Sequence, residues 1–96
     1  MAAASSEVVH NEAEQRYELT EDGQTAVLAY DVEKGMLSLN HTVVPPALEG
    51  RGIGSKLARF ALDEARDSGK KIIPRCSFVV TYLERHPEYA SVAAEL

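Results

Sequence analysis

From Arg16 to Val44 apolar and polar positions alternate with a period near two, and from Ile53 to Ala65 the apolar positions recur at helical spacing. The first regime predicts strands. Arg16-Tyr17-Glu18-Leu19 forms one, Thr25 to Val32 is a second rich in β-formers, and Met36 to Val44 is a longer third. Glu21-Asp22-Gly23-Gln24 and Glu33-Lys34-Gly35 read as turns, the first because Asp-Gly supplies the backbone freedom a tight reversal needs. Three strands joined in this way make an antiparallel meander. On the third, strict alternation places Leu37, Leu39, His41 and Val43 on one face. Ahead of the meander, Glu7 to His10 is expected as a short edge strand, with residues 1–6 mobile.

The pattern changes at Pro45-Pro46. Proline stops the strand, and Pro45 holds Val44 extended. A glycine-rich stretch runs to Gly54. Ile53, Leu57, Phe60, Ala61 and Ala65 then form the apolar stripe of a helix, and Gly69 is its stop signal. Asp63, Glu64 and Asp67 read as a solvated face of that helix. Lys71 to Cys76 is expected as a further strand, restricted by Pro74 to an edge or an interrupted ladder. Ser77 is placed to cap a helix with Phe78, Tyr82 and Leu83 as its apolar positions. Pro87 interrupts it, and Glu88 to Leu96 is a last short helix. The order β-β-β-loop-α-β-α implies an α+β (mixed α/β) fold, with residues 7–96 as a single domain.

Composition narrows the classes of function. A chain of 96 residues supports one core, and 45% hydrophobic with 26% charged residues argues against general disorder. One cysteine excludes an intramolecular disulfide framework and a Cys-rich zinc site. A formal net charge of -5 disfavours nucleic-acid backbone and suits a cationic partner, such as an amine or a basic peptide or protein. No apolar run reaches the roughly 18–20 residues a bilayer crossing needs. The first residues lack the basic and apolar regions of a secretory signal and the arginines of a presequence. Ala94-Glu95-Leu96 carries Glu where a peroxisomal Ser-Lys-Leu ending has Lys. The expectation is a soluble intracellular protein, monomeric or weakly dimeric. Cytoplasm is the first choice of compartment, with nucleus and peroxisome left open.

The stretch from Val44 to Leu57 carries the main chemical signal. A strand ends, glycines turn the chain, and a helix begins. The first N–H groups of a helix lack intrahelical partners and point outward together, where the helix dipole adds partial positive charge. Such an end binds phosphate. Gly50, Gly52 and Gly54 have no Cβ to hold a diphosphate away, and Arg51 and Lys56 offer further positive charge. The dinucleotide fingerprint fits poorly, because the third glycine comes one residue early and antiparallel strands precede it. The Walker loop also fits poorly, because Gly54-Ser55-Lys56 reverses its Lys and Ser.

The run from Val43 to Leu57 resembles the acetyl-CoA signature of the GNAT superfamily of N-acetyltransferases, Gln/Arg-x-x-Gly-x-Gly/Ala after a strand and opening a helix. Gly52 and Gly54 match its small positions, while Glu49 stands where Gln or Arg is usual. Pro74-Arg75-Cys76-Ser77-Phe78-Val79 and Tyr82 to Tyr89 extend the likeness to the minimal, single-domain branch of that superfamily. The resemblance implies a reduced GNAT-like fold with a strand splayed beside the loop strand, and acetyl-CoA as co-substrate. It places Val43, Val44, Arg51, Gly52, Ile53, Gly54, Ser55 and Lys56 at the cofactor. It further implies that the backbone of Val43 and Val44 faces pantetheine and acetyl group, with the strand ending at Cys76 as the other wall. The usual N-terminal helices, which shape the acceptor site, have no counterpart in the pattern.

Acetyl transfer from a thioester to an amine needs a polarised carbonyl, a neutral amine and a proton for the departing thiolate. Cys76, between a strand and a helix start, reads either as a small buried hydrophobe or as acetyl acceptor or proton relay. His41 is either a half-buried structural histidine or a base for the amine or for Cys76. Tyr82 is either a packing tyrosine or, by the resemblance, the donor that protonates the CoA thiolate. No metal-ligand spacing stands out. The expected activity is acetyl-CoA-dependent N-acetylation of an amine. A CoA-binding module without catalysis and a small protein-interaction domain are the alternatives.

Overall fold

Each strand of the sheet pairs with its sequence neighbour, in the order β1-β2-β3-β4-β5. The strands are β1 Val8–Asn11, β2 Arg16–Glu21, β3 Gln24–Glu33, β4 Met36–Val43 and β5 Ile72–Pro74. The computed structural model describes residues 8–94, so the expected mobile segment 1–6, Glu7 and the end of the last expected helix lie outside the described residues. The first four strands are antiparallel, and β5 runs parallel to β4. Helix α1, Ile53–Ser68, makes the crossover between β4 and β5. Helix α2, Ser77–Arg85, follows β5.

One face of the sheet carries Tyr17, Leu19, Ala26, Leu28, Tyr30, Leu37 and Leu39, all buried. They pack in one cluster with Leu57, Ala58, Ala61, Leu62 and Ala65 of α1 and with Val79 and Tyr82 of α2. Burying leucine-sized side chains is worth about 1.5–3 kcal/mol each, so this one-sided core dominates the stability. Gly69 ends α1 in the left-handed region at φ 75°, as its sequence position predicts.

The alternation expected along β4 does not run its full length. Tyr30 pairs with Leu39, but Ala29 pairs with His41, so Asn40 is an extra residue on β4. A bulge of this kind shifts the phase of every side chain beyond it. Leu37 and Leu39 are buried, whereas His41 and Val43 turn to the outer face and are exposed, Val43 at 57%. Thr42 takes the inward position instead. Asn40 is held by the Ser38 hydroxyl, which donates to its carbonyl at 2.7 Å, and by Asp31, which accepts from its amide at 2.9 Å.

Four further expectations are corrected. The Lys71–Cys76 strand shortens to Ile72–Pro74, because beyond Pro74 both Arg75 and Cys76 turn their N–H groups onto the single Leu39 carbonyl, at 3.1 and 2.9 Å. Cys76, in extended conformation, is the N-cap of α2 and Ser77 is its first helical residue. The helix therefore buries Val79 and Tyr82 and leaves Phe78 40% exposed. The last expected helix is a 3-10 turn, Pro87–Val92, after which Ala93 bridges to Ile72. Asp63 and Glu64 are not merely solvated. Asp63 accepts from the Tyr89 hydroxyl at 2.5 Å, and Glu64 accepts from the buried Tyr17 hydroxyl at 3.1 Å. His10 Nδ1 lies 2.7 Å from the same Glu64 oxygen, tying β1 to α1. Among the described residues no helix is long and apolar enough to cross a membrane.

Candidate active site

The end of β4, the glycine loop and the start of α2 converge on a cleft of about 540 Å³. The loop is anchored by Leu48, fully buried within a short 3-10 turn, Pro46–Leu48. Beyond it Gly50 and Gly52 adopt φ 85° and 74°, the left-handed region that side chains other than glycine enter only with strain. A Cβ at either position would meet no protein atom within 4 Å, so both open onto free space. Gly52 caps α1, and the Lys56 N–H donates to the Gly52 carbonyl at 3.1 Å. The N–H groups of Ile53, Gly54 and Ser55 precede that bond and have no intrahelical acceptor. This is a cradle that fits a diphosphate by backbone donors.

Six of the eight residues that the resemblance assigns to the cofactor line the cleft: Val43, Val44, Gly52, Ile53, Gly54 and Ser55. Arg51 and Lys56 do not. Arg51 donates to Glu21 at 2.5 Å and to Asp22 at 2.8 Å, so its charge pins the loop to the turn between β2 and β3. Lys56 lines a separate groove with Val8, Arg59, Phe60 and Asp63. At about 3.6 residues per turn, a residue two beyond Gly54 points away from the cradle.

Thr42, Leu48, Glu49, Gly50 and Phe78 also line the cleft. Phe78 explains Gly54. A Cβ there would stand 2.9 Å from the tip of the Phe78 ring, so this glycine admits α2 against α1 rather than phosphate against backbone.

Cys76 is 9% exposed, beside the cleft-lining Thr42 and two residues before Phe78. Thr42 Oγ1 and Cys76 Sγ are 3.4 Å apart. That contact exists because the bulge turns Thr42 inward. Burial pushes the thiol pKa up, but the Thr42 hydroxyl, the N–H groups of Val79 and Phe78 and that of Thr42 outweigh it and hold it below the ordinary value. The sulfur makes no capping hydrogen bond of regular geometry. Its stabilisation is therefore electrostatic, from donors and a helix N-terminus aimed at it. Replacing Thr42 by Val, similar in shape without the hydroxyl, is expected to raise the thiol pKa. The measurement is the rate of Cys76 alkylation against pH. The midpoint moves to higher pH and the rate at neutral pH falls about tenfold or more, in keeping with loss of a hydrogen bond to a charged group worth about 1.5–3 kcal/mol.

The other two candidate catalytic side chains lie elsewhere. His41 is exposed on the outer face of β4, opposite to Thr42, so the half-buried site expected for it is not found. Tyr82 is buried, its ring stacked on His86 at 4.1 Å between centroids. It lines a smaller cavity beyond Phe78 and not the main cleft. Burial raises its pKa. No cluster of three or more metal-ligating side chains occurs among the described residues. Beyond Leu39 the β5 side of β4 faces no strand, because β5 ends at Pro74. The two strands thus diverge beside the cradle and Cys76.

Comparison with known proteins agrees with this arrangement. Residues 16–92 match the profile of the GCN5-related N-acetyl-transferase family. Protein NATD1 of Xenopus tropicalis is 32% identical over 88% of this chain and 81% of its own length. Protein NATD1 of Mus musculus is 40% identical over 65% of this chain, the match spanning 57% of that relative. The solution structure of a GCN5-like protein from Staphylococcus aureus superposes with a TM-score of 0.74 at 29% identity, covering 100% of this chain and 93% of the other. With the glycine cradle, the diverging parallel strands and the matched residues all in one place, the chain belongs to the GCN5-related N-acetyltransferase family of acyltransferases.

Proposed function

We propose that this protein transfers an acetyl group from acetyl-CoA to an amine, with Cys76 as the intermediate acceptor. Members of the family generally use acetyl-CoA. The observation that carries the proposal is the position of Cys76, its thiol pKa lowered, beside a cleft whose glycine loop presents the N–H groups of Ile53, Gly54 and Ser55. The loop would hold the diphosphate, and Val43 and Val44 would flank the pantetheine arm. The Cys76 thiolate would attack the thioester carbonyl, forming a new C–S bond as the bond to CoA sulfur breaks. CoA leaves as a thiolate that takes its proton from solvent. A neutral amine would then attack acetyl-Cys76, forming the amide, returning the thiolate and releasing one proton. His41 stands on the outer face, turned from the thiol, so the proton released by the amine would pass to solvent. Tyr82, behind Phe78, is left a packing role. The net charge of -5 favours a cationic acceptor such as a basic peptide or protein.

The test uses acetyl-CoA with a panel of amines that includes basic peptides. CoA release dependent on the amine is expected, together with an acetyl adduct on Cys76 by mass spectrometry when the amine is withheld. Binding of CoA without release across the panel would make the protein a non-catalytic CoA-binding module. Absence of CoA-dependent thermal stabilisation would make it a protein-interaction domain.

A further inference from the structure

We propose that the free edge of β1 is the interface of a homodimer, in which β1 of one copy pairs antiparallel with β1 of a second. The proposal stands apart from the acetyl-transfer reading.

The two edges of the sheet are built differently. At β5 the chain returns to cover its own edge: Ala93 bridges to Ile72, and the Ala94 N–H donates to the Ile72 carbonyl at 2.8 Å. At β1, no strand among the described residues lies beyond the pairing with β2. Edge strands that stay single are commonly guarded by lysine, proline or a bulge. β1 reads Val-Val-His-Asn, pairs with β2 in unbroken register and leaves Val9 57% exposed. Val8 and Phe60 pack against the core but are only partly buried. They floor an open groove of about 250 Å³ between β1 and α1, walled by Lys56, Arg59 and Asp63.

Charge selects the occupant of that edge. Residues 56, 59, 60 and 63 form one stripe of α1, turned to β1. Lys56 is exposed and makes no ion pair among the described residues. Arg59 reaches Asp63 only at 3.9 Å, and that carboxylate also serves Arg66 and Tyr89. A strand seated beside β1 is therefore favoured if it brings a carboxylate to this wall. A second β1 does so. Glu12, one residue past its end, is exposed and likewise has no ion pair among the described residues.

Register brings the opposite charges together. Residues opposite one another in a sheet share a face. Val8 faces α1 and Val9 the outer side, so a two-fold axis relating two β1 strands must pass through a residue and not between two. Centred on Val9, it sets Val9 against its own copy and Val8 against the partner's His10. Centred on His10, it would set Glu12 against apolar Val8. Val8 lies beside Phe60 and His10 beside Glu64. Two residues along β1, about 6.6 Å, thus match four along α1, about 6 Å. In the Val9-centred register the partner's Glu12 comes two residues beyond Val8, level with residue 56 on α1. Glu12 also lines the same side of the sheet as His10, the side that α1 covers. Each Glu12 therefore meets Lys56 and Arg59 of the other copy, twice by symmetry.

The experiment is sedimentation of the full chain over a range of concentrations. A four-residue ladder is a small interface, so a dimer forming in the micromolar range and weakened by salt is expected. Val9→Lys places two ammonium groups opposite each other at the axis, and should weaken the dimer at least tenfold. The substitution is on an exposed position, so the Tm of the monomer should stay close to native. Glu12→Lys should weaken association comparably, and adding Lys56→Glu with Arg59→Glu should restore it. A native protein that stays monomeric throughout would overturn the proposal. So would a dimer that Val9→Lys leaves intact, or a folded triple variant that associates no better than Glu12→Lys.

Discussion

Glutamate in place of Gly52 is expected to abolish coenzyme A binding while the protein stays folded. Gly52 caps α1 at φ 74°, and a Cβ there points into space that no protein atom occupies. A carboxylate built from that position reaches the same N–H groups of Ile53, Gly54 and Ser55 that would hold a diphosphate. It satisfies those donors internally, as acidic side chains do at helix starts, and repels the incoming phosphate. At a hundred times its Kd, coenzyme A should stabilise the native protein by about 2.7 kcal/mol. For a domain of this size that is a Tm rise of roughly ten degrees or more. The Gly52→Glu variant should show no rise. Gly52→Ala separates the two causes, since it carries the strain of positive φ, about 1 kcal/mol, without the charge. It should melt lower but keep a ligand-dependent shift. A full shift in Gly52→Glu would show that the diphosphate is held elsewhere.

Gly52 matters more than the neighbouring charges because of how the loop is built. Arg51 is engaged by two carboxylates, and Glu49 places an acid on the cleft wall where the family signature has Gln or Arg. Diphosphate binding as proposed for this loop would thus rest on backbone donors fixed by two left-handed glycines and by the buried anchor Leu48. The side chains around it would tune affinity. Arg51 acts indirectly, by fixing the loop to the turn at Glu21 and Asp22.

Much of this was legible in the residues. Two-residue alternation gave β2, β3 and the first half of β4, and helical spacing with Gly69 gave α1, because each has one buried face and the signal is local. The glycine loop was legible for the same reason. What stayed hidden depends on pairing between distant segments. Nothing local marks Asn40 as a bulge, yet that one extra residue turns His41 outward and Thr42 toward Cys76. The roles of His10 and Glu64 were hidden likewise, since β1 and α1 meet only in three dimensions. In the sequence Gly54 looks like a phosphate glycine, because nothing local records the Phe78 ring lying over it. A weak signal for Thr42 did exist: a polar residue beside apolar Val43 at the end of a core strand.

Removal of the Cys76 thiol separates the two chemistries open to this site. In the Cys76→Ala variant, transfer to the amine is expected to fall by about a thousandfold or more, the scale on which enzymes lose rate with their nucleophile. Affinity for coenzyme A should change little, because the diphosphate contacts lie on the loop. The acetyl adduct should vanish. The native rate should also carry a rising limb in pH that tracks formation of the thiolate. Since the Thr42 hydroxyl and the α2 N–H groups hold the thiol pKa down, that limb lies below the pH at which the same thiol would ionise without them. Thr42→Val raises the thiol pKa, so it must displace the limb to higher pH and leave the plateau rate nearly intact. A purely structural role for Thr42 would lower the plateau without moving the limb. If Cys76→Ala instead turns over at the native rate, the amine attacks acetyl-CoA directly and Cys76 only packs the wall between the diverging strands. The cradle and the family membership would stand, and the search for the proton acceptor would move to His41 and the open face of the sheet.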